Sequence, residues 1–574
     1  MDIWRANVHT QSITTEKTPE AWKKLGGRGL IARILLDEVP ARCDPLGWHN
    51  KLIFAPGLLV GHMLSSCDRL SVGGKSPLTG GIKESNAGGT TGLQLTYLGI
   101  KALIVEGQPE HPGWWVLYLS KSGSKFEPAD DLQHYPTGSL VGMGVHETAQ
   151  QLITKYGNKV ALAIIGPGGE MLLSAAGIQN LDKDHEPSRI AARGGLGAVM
   201  GSKRLKAIVI DARDGEKPYI SQPENFKRAR KIFTDALMAH PQTAVYRDFG
   251  TAAIARMSNS FGGLPTRNFS SGQFEGVETI SGEYLRKVIL ERCGEGDASH
   301  ACMPGCTIRS SNVYDDVNGQ KIVSPLEYET IGLMGSNLGI DDLDKIAALN
   351  YIVDDLGLDS IEIGAALGVA AEAGLMEFGD FEKARSLLYE IRDGTPLGRI
   401  LGNGAGMTGK IFGVKRVPVV KNQAMSAYEP RAIKGTGVTY ATSPQGADHT
   451  SGLTIRAKID HLNPEGQVGI SRTVQINNAG FDSLGACIFA SFGFFAAQDS
   501  IKDLINARYD WEVESDFLQL LGKETLLLER EFNKKAGFTS ADDRIPEWMM
   551  EEPLPPHNTI FDVPEEELDN IYNF

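Results

Sequence analysis

The segment Asp354-Asp355-Leu356-Gly357-Leu358-Asp359 has a counterpart later in the chain, Asp482-Ser483-Leu484-Gly485-Ala486-Cys487. The first copy closes a stretch with helical apolar spacing, and a glycine at the fourth position favours the left-handed conformation that ends a helix. The flanking acids would then project as hydrogen-bond acceptors, suited to the donor-rich edge of a heterocycle. One copy alone is typical of an ordinary helix cap with a solvated Asp, but two copies favour a ligand site.

The second copy ends in a cysteine, and two more cysteines stand close together in the chain. They lie in Ala301-Cys302-Met303-Pro304-Gly305-Cys306, upstream of Cys487. Iron–sulfur clusters are held by thiolates, often from a short cysteine run and one remote cysteine. A 4Fe–4S cluster needs four ligands, so this set predicts a cluster that lacks one. The alternative is that Cys302 and Cys306 are two buried thiols.

Composition limits the class of protein. A chain of 574 residues is too long for one hydrophobic core and predicts two to four domains. The net charge of −14 argues against a nucleic-acid surface. Six cysteines are too few for a disulfide scaffold. The start of the chain lacks a signal-peptide pattern and no apolar run is long enough for a membrane span, so we expect a cytoplasmic protein.

The order of patterns along the chain predicts an α+β protein. Up to about residue 211, glycine-dense turns separate short apolar runs that read as buried strands, at 51–55, 101–106, 160–165 and 205–210. Such glycine loops can present backbone amides to an anion. Helical spacing then dominates, at 223–238, 343–356, 361–374, 380–413, 497–508 and 512–536. No Gly-x-Gly-x-x-Gly or P-loop pattern supports a nicotinamide or nucleotide enzyme.

The chain resembles the aldehyde:ferredoxin oxidoreductase family, whose members use a tungsten bis-pterin cofactor. The resemblance favours tungsten as the metal, and molybdenum is the alternative. The likeness covers nearly the whole chain and depends on the order of its segments. Besides the two Asp-x-x-Gly motifs these are Gly26-Gly-Arg-Gly-Leu, Arg69, Lys75-Ser-Pro-Leu-Thr-Gly, Asn86-Ala-Gly-Gly, Arg193-Gly-Gly-Leu-Gly-Ala-Val-Met-Gly-Ser-Lys, Leu326-Glu-Tyr-Glu and Glu551-Glu-Pro. It implies a β-rich base domain, 1–211, and two mainly helical domains, 212–420 and 421–574, that close over a buried cofactor.

The resemblance also implies which residues hold the cofactor. The base side would be formed by Arg69, Asn86, Gly88, Arg189, Ile190, Ala192 and Arg193. Arginines and backbone amides suit the pterin phosphates. The carbonyls of Asn86 and Ile190 would hold a Mg²⁺ ion between those phosphates, since magnesium prefers oxygen ligands. Asp354 and Asp359 would bind one pterin, and Asp482 and Ala486 the other.

The cluster motif departs from the family pattern, Cys-x2-Cys-x3-Cys with a distant fourth cysteine. Ser299 stands at the position of the first cysteine. Ser299 itself, the adjacent His300, or Cys293 through a folded-back loop could supply the missing ligand. A three-ligand or absent cluster is the remaining alternative. A serine or histidine ligand would change the cluster potential, because ligand identity tunes it.

The resemblance implies the catalytic residues as well. Glu329, in Glu327-Tyr328-Glu329, matches the family's glutamate and would act as general base on water or the aldehyde hydrate. His449 matches the histidine that faces the substrate oxygen. Glu327 reads as a structural acid, and Tyr440 as a residue that lines the pocket. For Glu329 and His449 the alternatives are an acid paired with an arginine and an ordinary loop histidine.

The expected activity is oxidation of a small aldehyde to an acid, with electrons leaving singly through the cluster to ferredoxin or a small iron–sulfur subunit. The same cofactor could instead work reductively, on an acid or an activated ring, within a larger electron-transfer complex. A cofactor-binding protein without redox turnover is a third possibility. Some family members carry Glu-x-x-His for an iron at a dimer interface; Ala348 and Tyr351 stand there, so we expect no iron-bridged dimer.

Overall fold

The structure is a computed structural model that describes residues 1–110, 112–131 and 139–574. Up to Asp211 the described residues form two sheets of six strands. The strands are β1 (Asp2–Asn7), β2 (Ser12–Lys17), β3 (Leu52–Pro56), β4 (Leu70–Lys75), β5 (Ile82–Ala87), β6 (Ile100–Glu106), β7 (Trp115–Ser120), β8 (Lys125–Pro128), β9 (Ala161–Ile164), β10 (Ile178–Leu181), β11 (Pro187–Ala191) and β12 (Leu205–Asp211). The buried strands predicted from apolar runs are confirmed as β3, β6, β9 and β12.

The two sheets share one topology. The first has the strand order β2-β1-β6-β3-β4-β5, and the second, counted from its other edge, has β8-β7-β12-β9-β10-β11. The strands that come first and sixth along the chain in each sheet, β1 with β6 and β7 with β12, are parallel neighbours. All other neighbouring pairs in the two sheets are antiparallel. The base of the protein is therefore an internal repeat of a six-stranded unit, in which β5 and β11 occupy equivalent places.

Helices dominate the rest of the chain. Those beside the sheets are α1 (Gly27–Glu38), α2 (Thr91–Tyr97), α3 (Val145–Tyr156), α4 (Pro167–Glu170) and α5 (Leu196–Ser202). They are followed by α6 (Pro223–Ala239), α7 (Pro241–Phe249), α8 (Ile254–Ser260), α9 (Gly282–Arg292), α10 (Tyr328–Met334), α11 (Leu343–Asp355), α12 (Ser360–Glu372), α13 (Phe381–Arg392), α14 (Pro396–Gly402), α15 (Gly404–Phe412), α16 (Lys434–Thr442), α17 (Gln467–Leu484), α18 (Ser491–Ala496), α19 (Ser500–Tyr509), α20 (Phe517–Ala536), α21 (Trp548–Glu551) and α22 (Glu565–Asp569). Short strands are β13 (Asp297–His300), β14 (Ser311–Asp315), β15 (Lys321–Val323), β16 (Val419–Val420) and β17 (Gln423–Ala424).

This architecture confirms the predicted α+β class, with a β-rich N-terminal part and a helical remainder. Among the described residues no single helix is long and apolar enough to cross a membrane. The segments Gln467–Leu484 and Ile488–Ala496 reach that length and composition only together, and the chain bends by 108° between them. The division of the helical part at 420/421 and the boundary at 211/212 stay predictions.

Both Asp-x-x-Gly motifs end helices as predicted, α11 and α17. Gly357 has φ of 68° and Gly485 has φ of 77°, the left-handed values that glycine adopts without strain. We call residues 354–359 the first acceptor loop and residues 482–487 the second acceptor loop. Both loops belong to the helical region and contact the sheet part of the protein.

Each acceptor loop is hydrogen-bonded through its backbone to one sheet. The second loop meets residues 57–69, between β3 and β4, where Leu58 N donates to Ser483 O at 3.1 Å and Cys487 N donates to Ser66 O at 2.7 Å. The first loop meets residues 165–177, between β9 and β10, where Gly177 N donates to Gly357 O at 2.9 Å. Because these two connections are equivalent in the repeat, the duplicated base positions the two loops in the same manner.

Glycines allow this close approach of backbones, which gives a first test. A Cβ added at Gly57 would lie 2.0 Å from Gly485 N, so Gly57→Ala must push the second acceptor loop away from the sheet. We expect a loss of roughly 1–3 kcal/mol or more in the free energy of unfolding, as for other overpacked sites. Urea unfolding followed by circular dichroism measures it.

The matched control is Gly469→Ala on α17, where an added Cβ meets nothing within 4 Å. Removing a helical glycine there should leave stability unchanged or raise it by up to about 1 kcal/mol. Equal midpoints for Gly57→Ala and the unmodified protein would contradict the proposed tight docking.

Candidate active site

One large cavity lies where the two acceptor loops face the sheets. It encloses about 1660 Å³ of space free of protein atoms, including its open mouth. Most of the residues predicted to bind cofactor, substrate or iron line it. These are Arg69, Asn86, Gly88, Arg189, Ile190, Ala192, Cys302, Glu329, Asp354, Asp359, His449, Asp482 and Cys487. The structure therefore gathers at one place residues that are spread over more than 400 positions of the sequence.

The sheet side of the cavity carries two arginines and two equivalent strands. Asn86 lies on β5 and Ile190 on β11, the matching strands of the repeat. The Arg69 guanidinium donates to the Asn86 carbonyl oxygen at 3.2 Å. Arg189 donates to Ser311 Oγ at 2.8 Å, while its Nε is buried and has no hydrogen-bond partner among the described residues. An unpaired buried donor is costly, so this wall is prepared for an acceptor that the protein does not supply.

The opposite wall carries the acids of the acceptor loops. Burial raises the pKa of Asp354 to about 8, although Arg189 acts in the opposite direction. Burial also raises the pKa of Asp482 to about 6, against the effect of Arg28, which donates to it at 3.2 Å. Such carboxyl groups can serve as acceptors or, when protonated, as donors to a polar ligand.

Two predicted cofactor residues are engaged inside the protein. Arg193 donates from Nε to Asp359 at 3.2 Å and from NH1 to the Ala447 carbonyl at 2.7 Å. Ala486 is buried and its N–H donates to Phe481 O at 2.9 Å. Within the described ranges neither is among the residues that line the cavity, so Arg193 acts on the site by fixing Asp359, which also caps α12 through Ile361 N at 2.9 Å.

Glu329 and His449 meet at the centre of the cavity. Glu329 stands in the first turn of α10, and its Oε1 lies 3.4 Å from His449 Nε2. Its other oxygen accepts from Ala427 N at 2.8 Å. His449 Nδ1 is 2.8 Å from Ser426 Oγ. Residues 426–427 therefore hold both side chains. Glu329 Oε1 and His449 Nε2 are left facing each other and the cavity.

A buried ion pair anchors the turn that presents His449. Lys83 Nζ, on β5, lies 2.6 Å from Asp448 Oδ2, and the two side chains are 0% and 4% exposed. Asp448 also accepts from Thr450 N at 3.0 Å. Burial alone would raise the pKa of Asp448, but Lys83 and Arg193 hold it well below its usual range. The carboxylate is therefore charged, and it fixes the histidine turn to the first sheet.

The predicted structural role of Glu327 fits its contacts. It accepts from the hydroxyl of Thr251 and, at 2.9 Å, from that of Ser311. Tyr440, predicted to line the pocket, is fully buried and is not among the lining residues of the described chain.

The sequence reasoning missed part of the cavity wall. Asn350 lies four residues before Asp354 on α11, and that spacing could have placed both on one helix face. Tyr246, Tyr428 and Phe489 form an aromatic wall of the cavity, and no spacing in the sequence links them. The Tyr246 and Phe489 ring centroids are 4.0 Å apart. This wall suits an apolar substrate.

The three cysteines of the cluster prediction converge beside the second acceptor loop. Cys302 and Cys487 line the cavity. Cys302 also lies next to Gly88, where an added Cβ would come within 3.3 Å of its Sγ. A hydrogen bond from the Cys302 thiol lowers the pKa of Cys306 to about 6. The same hydrogen bond and burial raise the pKa of Cys302 well above its usual value, so Cys306 is the thiol of this pair that ionises first.

The three alternatives for a fourth ligand lie in other surroundings. Ser299 N donates to Asp297 at 2.9 Å, and its Oγ is 3.5 Å from Arg309 O. Both ring nitrogens of His300 are engaged, Nδ1 with Arg189 at 3.1 Å and Nε2 with Asp184 at 2.7 Å. Cys293 is exposed at the end of α9 and donates to Leu290 O at 3.1 Å. Tyr351, which stands where some family members carry a ligand of the dimer iron, stacks on His146 with ring centroids 5.2 Å apart.

Comparison with known proteins supports the resemblance. The family model described as the aldehyde ferredoxin oxidoreductase N-terminal domain matches residues 3–212, and the model for domains 2 and 3 matches residues 228–574. The tungsten-containing aldehyde ferredoxin oxidoreductase of Thermococcus kodakarensis is 32% identical over 579 residues, which cover 96% of this chain and 91% of that protein. The Pyrococcus furiosus protein of the same name is 32% identical over 581 residues, with the same two coverages.

Two more distant similarities complete the comparison. The chain is 29% identical over 490 residues to the aliphatic sulfonate oxidoreductase, WOR-like subunit, of Pyrococcus furiosus, covering 80% of this chain and 75% of that protein. Its fold matches the active site complex BamBC of benzoyl coenzyme A reductase in complex with 1,5-dienoyl-CoA, with a TM-score of 0.80 at 20% identity over 100% of this chain and 93% of that one. From the two family models and the 32% identities, this chain belongs to the aldehyde ferredoxin oxidoreductase family.

Proposed function

We propose that this protein is a tungsten–pterin, iron–sulfur oxidoreductase that oxidises a small aldehyde to a carboxylic acid. The observation that carries the proposal is the Glu329–His449 pair, 3.4 Å apart, in a cavity lined also by both acceptor loops and two cysteines. The comparison with known proteins supports the proposal through the 32% identity to tungsten-containing aldehyde ferredoxin oxidoreductases.

The residues present fit a bis-pterin cofactor with bridging magnesium. The unpaired Arg189 Nε and the Arg69 guanidinium suit phosphate oxygens. The acids Asp354, Asp359 and Asp482 suit the donor edges of two pterins. Carbonyls on the equivalent strands β5 and β11, from Asn86 and Ile190, suit a magnesium ion.

The reaction converts aldehyde and water into carboxylic acid, two electrons and two protons. Glu329 takes the proton from water or from the aldehyde hydrate, because it has one oxygen fixed by Ala427 N and the other free toward the cavity. His449, held at Nδ1 by Ser426, exchanges a proton at Nε2 with the substrate oxygen. The tungsten centre, when bound, supplies the sink for the electron pair. The aromatic wall orients the rest of the substrate and excludes water.

Cys302, Cys306 and Cys487 would hold an iron–sulfur cluster, and that group would supply a one-electron exit from the site. Cys302 and Cys487 line the cavity wall, so a cluster there would border the cofactor directly. Such a cluster carries one electron at a time, which suits ferredoxin or a small iron–sulfur subunit as the acceptor.

The second candidate is reductive use of the same cofactor, on an acid or an activated ring, as the catalytic subunit of a larger complex. The observation that favours it is the 29% identity to the WOR-like subunit of an aliphatic sulfonate oxidoreductase, a relative that is named as a subunit. Copurification with small ferredoxin-like chains would support this alternative.

Elemental analysis of anaerobically purified protein tests the proposal. We expect about one tungsten and about four iron atoms per chain, with acid-labile sulfide equal to iron, as a 4Fe–4S cluster requires. Aldehyde should then reduce ferredoxin or a viologen dye, with one acid formed for every two electrons. Protein that contains tungsten but no iron or sulfide, and that shows no aldehyde-dependent reduction, would instead be a cofactor-binding protein without redox turnover.

A further inference from the structure

We propose that Cys67 supplies the fourth thiolate of the iron–sulfur cluster. It would take the role of the family's first cluster cysteine, whose position in this chain is occupied by Ser299. This inference rests on the proposed function, since it needs the cluster. It gives the cluster a ligand from the first sheet's β3–β4 connection, far in sequence from the Cys302–Cys306 run.

Ser66, the residue before Cys67, contacts two of the three other cysteines. Ser66 Oγ lies 3.3 Å from Cys306 Sγ. The Ser66 carbonyl accepts from Cys487 N at 2.7 Å, and two residues later Arg69 N donates to Gly485 O at 3.0 Å. Cys67 is therefore held in a segment that runs along the second acceptor loop, between the remote cysteine and the cysteine run.

The surroundings of the Cys67 thiol also place it beside Cys487 and Cys306. The residue is 0% exposed. Its side chain lies within electrostatic range of Asp68, Cys487 and Cys306. The remaining cysteines lie elsewhere: Cys293 is exposed at the end of α9, and the carbonyl of Cys43 accepts from Lys75 at 2.8 Å.

Cluster chemistry favours this thiol over the alternatives near Ser299. Four thiolates are the usual ligand set of a 4Fe–4S cluster. Ser299 and His300 are already hydrogen-bonded to other groups, whereas no side-chain hydrogen bond is recorded for Cys67 among the described residues. A charged thiolate in a buried site is stable only when paired, and iron provides that pairing.

Three single variants of the anaerobically purified, cofactor-loaded protein test the assignment: Cys67→Ala, Cys67→Ser and Ser299→Ala. Cys67→Ala should lower iron from about four to about three per chain and give the electron paramagnetic resonance signal of an oxidised 3Fe–4S cluster. Cys67→Ser should shift the cluster's reduction potential. Ser299→Ala should keep the iron content and the spectrum of the unmodified protein. Unchanged tungsten content in all three shows that the fold and the pterin site are intact.

The outcomes separate the two proposals. If the unmodified protein contains about four irons and Cys67→Ala keeps both its iron content and its spectrum, the Cys67 assignment is wrong and the proposed function stands. If Ser299→Ala alone converts the cluster, Ser299 is the fourth ligand and the assignment is also wrong. If the unmodified protein contains no iron, the cluster of the proposed function is wrong as well.

Discussion

Glu329→Gln should lower kcat for aldehyde oxidation by about 10²–10⁴-fold, the range that a general base contributes. Glutamine keeps the shape of the side chain and can still accept from Ala427 N, which donates to Glu329 at 2.8 Å. It cannot take a proton from water or from the aldehyde hydrate. A loss of this size corresponds to about 3–5 kcal/mol in the activation free energy. Steady-state kinetics with a viologen acceptor measures it, and tungsten and iron contents should stay those of the unmodified enzyme.

The matched control is Glu327→Gln, two residues earlier in the same turn. Glu327 also borders the cavity, but both of its oxygens accept from hydroxyls, of Thr251 and Ser311, that can adapt to an amide. We expect kcat to fall less than about tenfold, because no proton transfer is lost. Retention of most activity by Glu329→Gln, or an equal loss in both variants, would show that the base is misassigned.

Lys83→Met should destabilise the protein by up to about 3–5 kcal/mol, since it removes the closer of the two cations that compensate the buried Asp448 charge and leaves only Arg193, 4.0 Å away. The ammonium lies 2.6 Å from Asp448, and both side chains are almost wholly buried. The same substitution should release the turn that carries His449 and lower activity. Denaturant unfolding gives the stability, and kinetics at a temperature well below the transition gives the activity.

Two comparisons separate burial from charge. Lys231→Met removes an ion pair of the same length, 2.6 Å, whose side chains are 75% and 65% exposed, and we expect a change below about 1 kcal/mol. The double variant Lys83→Met, Asp448→Asn removes both charges and should recover much of the stability lost in the single variant. A Lys83→Met protein as stable as Lys231→Met would contradict the anchoring role of the buried pair.

Local requirements made part of this structure predictable from sequence. The left-handed turns at Gly357 and Gly485 follow from a glycine at the end of an apolar helix, and the buried strands follow from short β-rich apolar runs. The family resemblance then brought Glu329 and His449 into one site, where the structure places them 3.4 Å apart.

Contacts between distant segments were not predictable in the same way. The duplicated sheet topology depends on which strands pair, and strand pairing between distant segments leaves no local pattern. Lys83 and Asp448 look like ordinary surface residues until the fold buries them together. Arg193 was expected on the cavity wall because it is an arginine in a family motif, but its donors are taken up by Asp359 and by backbone carbonyls.

The attachment of each acceptor loop to its own sheet sets an order of events during synthesis. The first loop can join the second sheet as soon as residue 359 has emerged. The second loop attaches to the first sheet instead. Leu58 N, in the β3–β4 connection, donates to Ser483 O, so this attachment must wait until most of the chain has been made. Domains fold largely as they leave the ribosome. The cavity therefore stays open on the cysteine side until late in translation, which leaves time and space for a large cofactor to enter before the last wall closes.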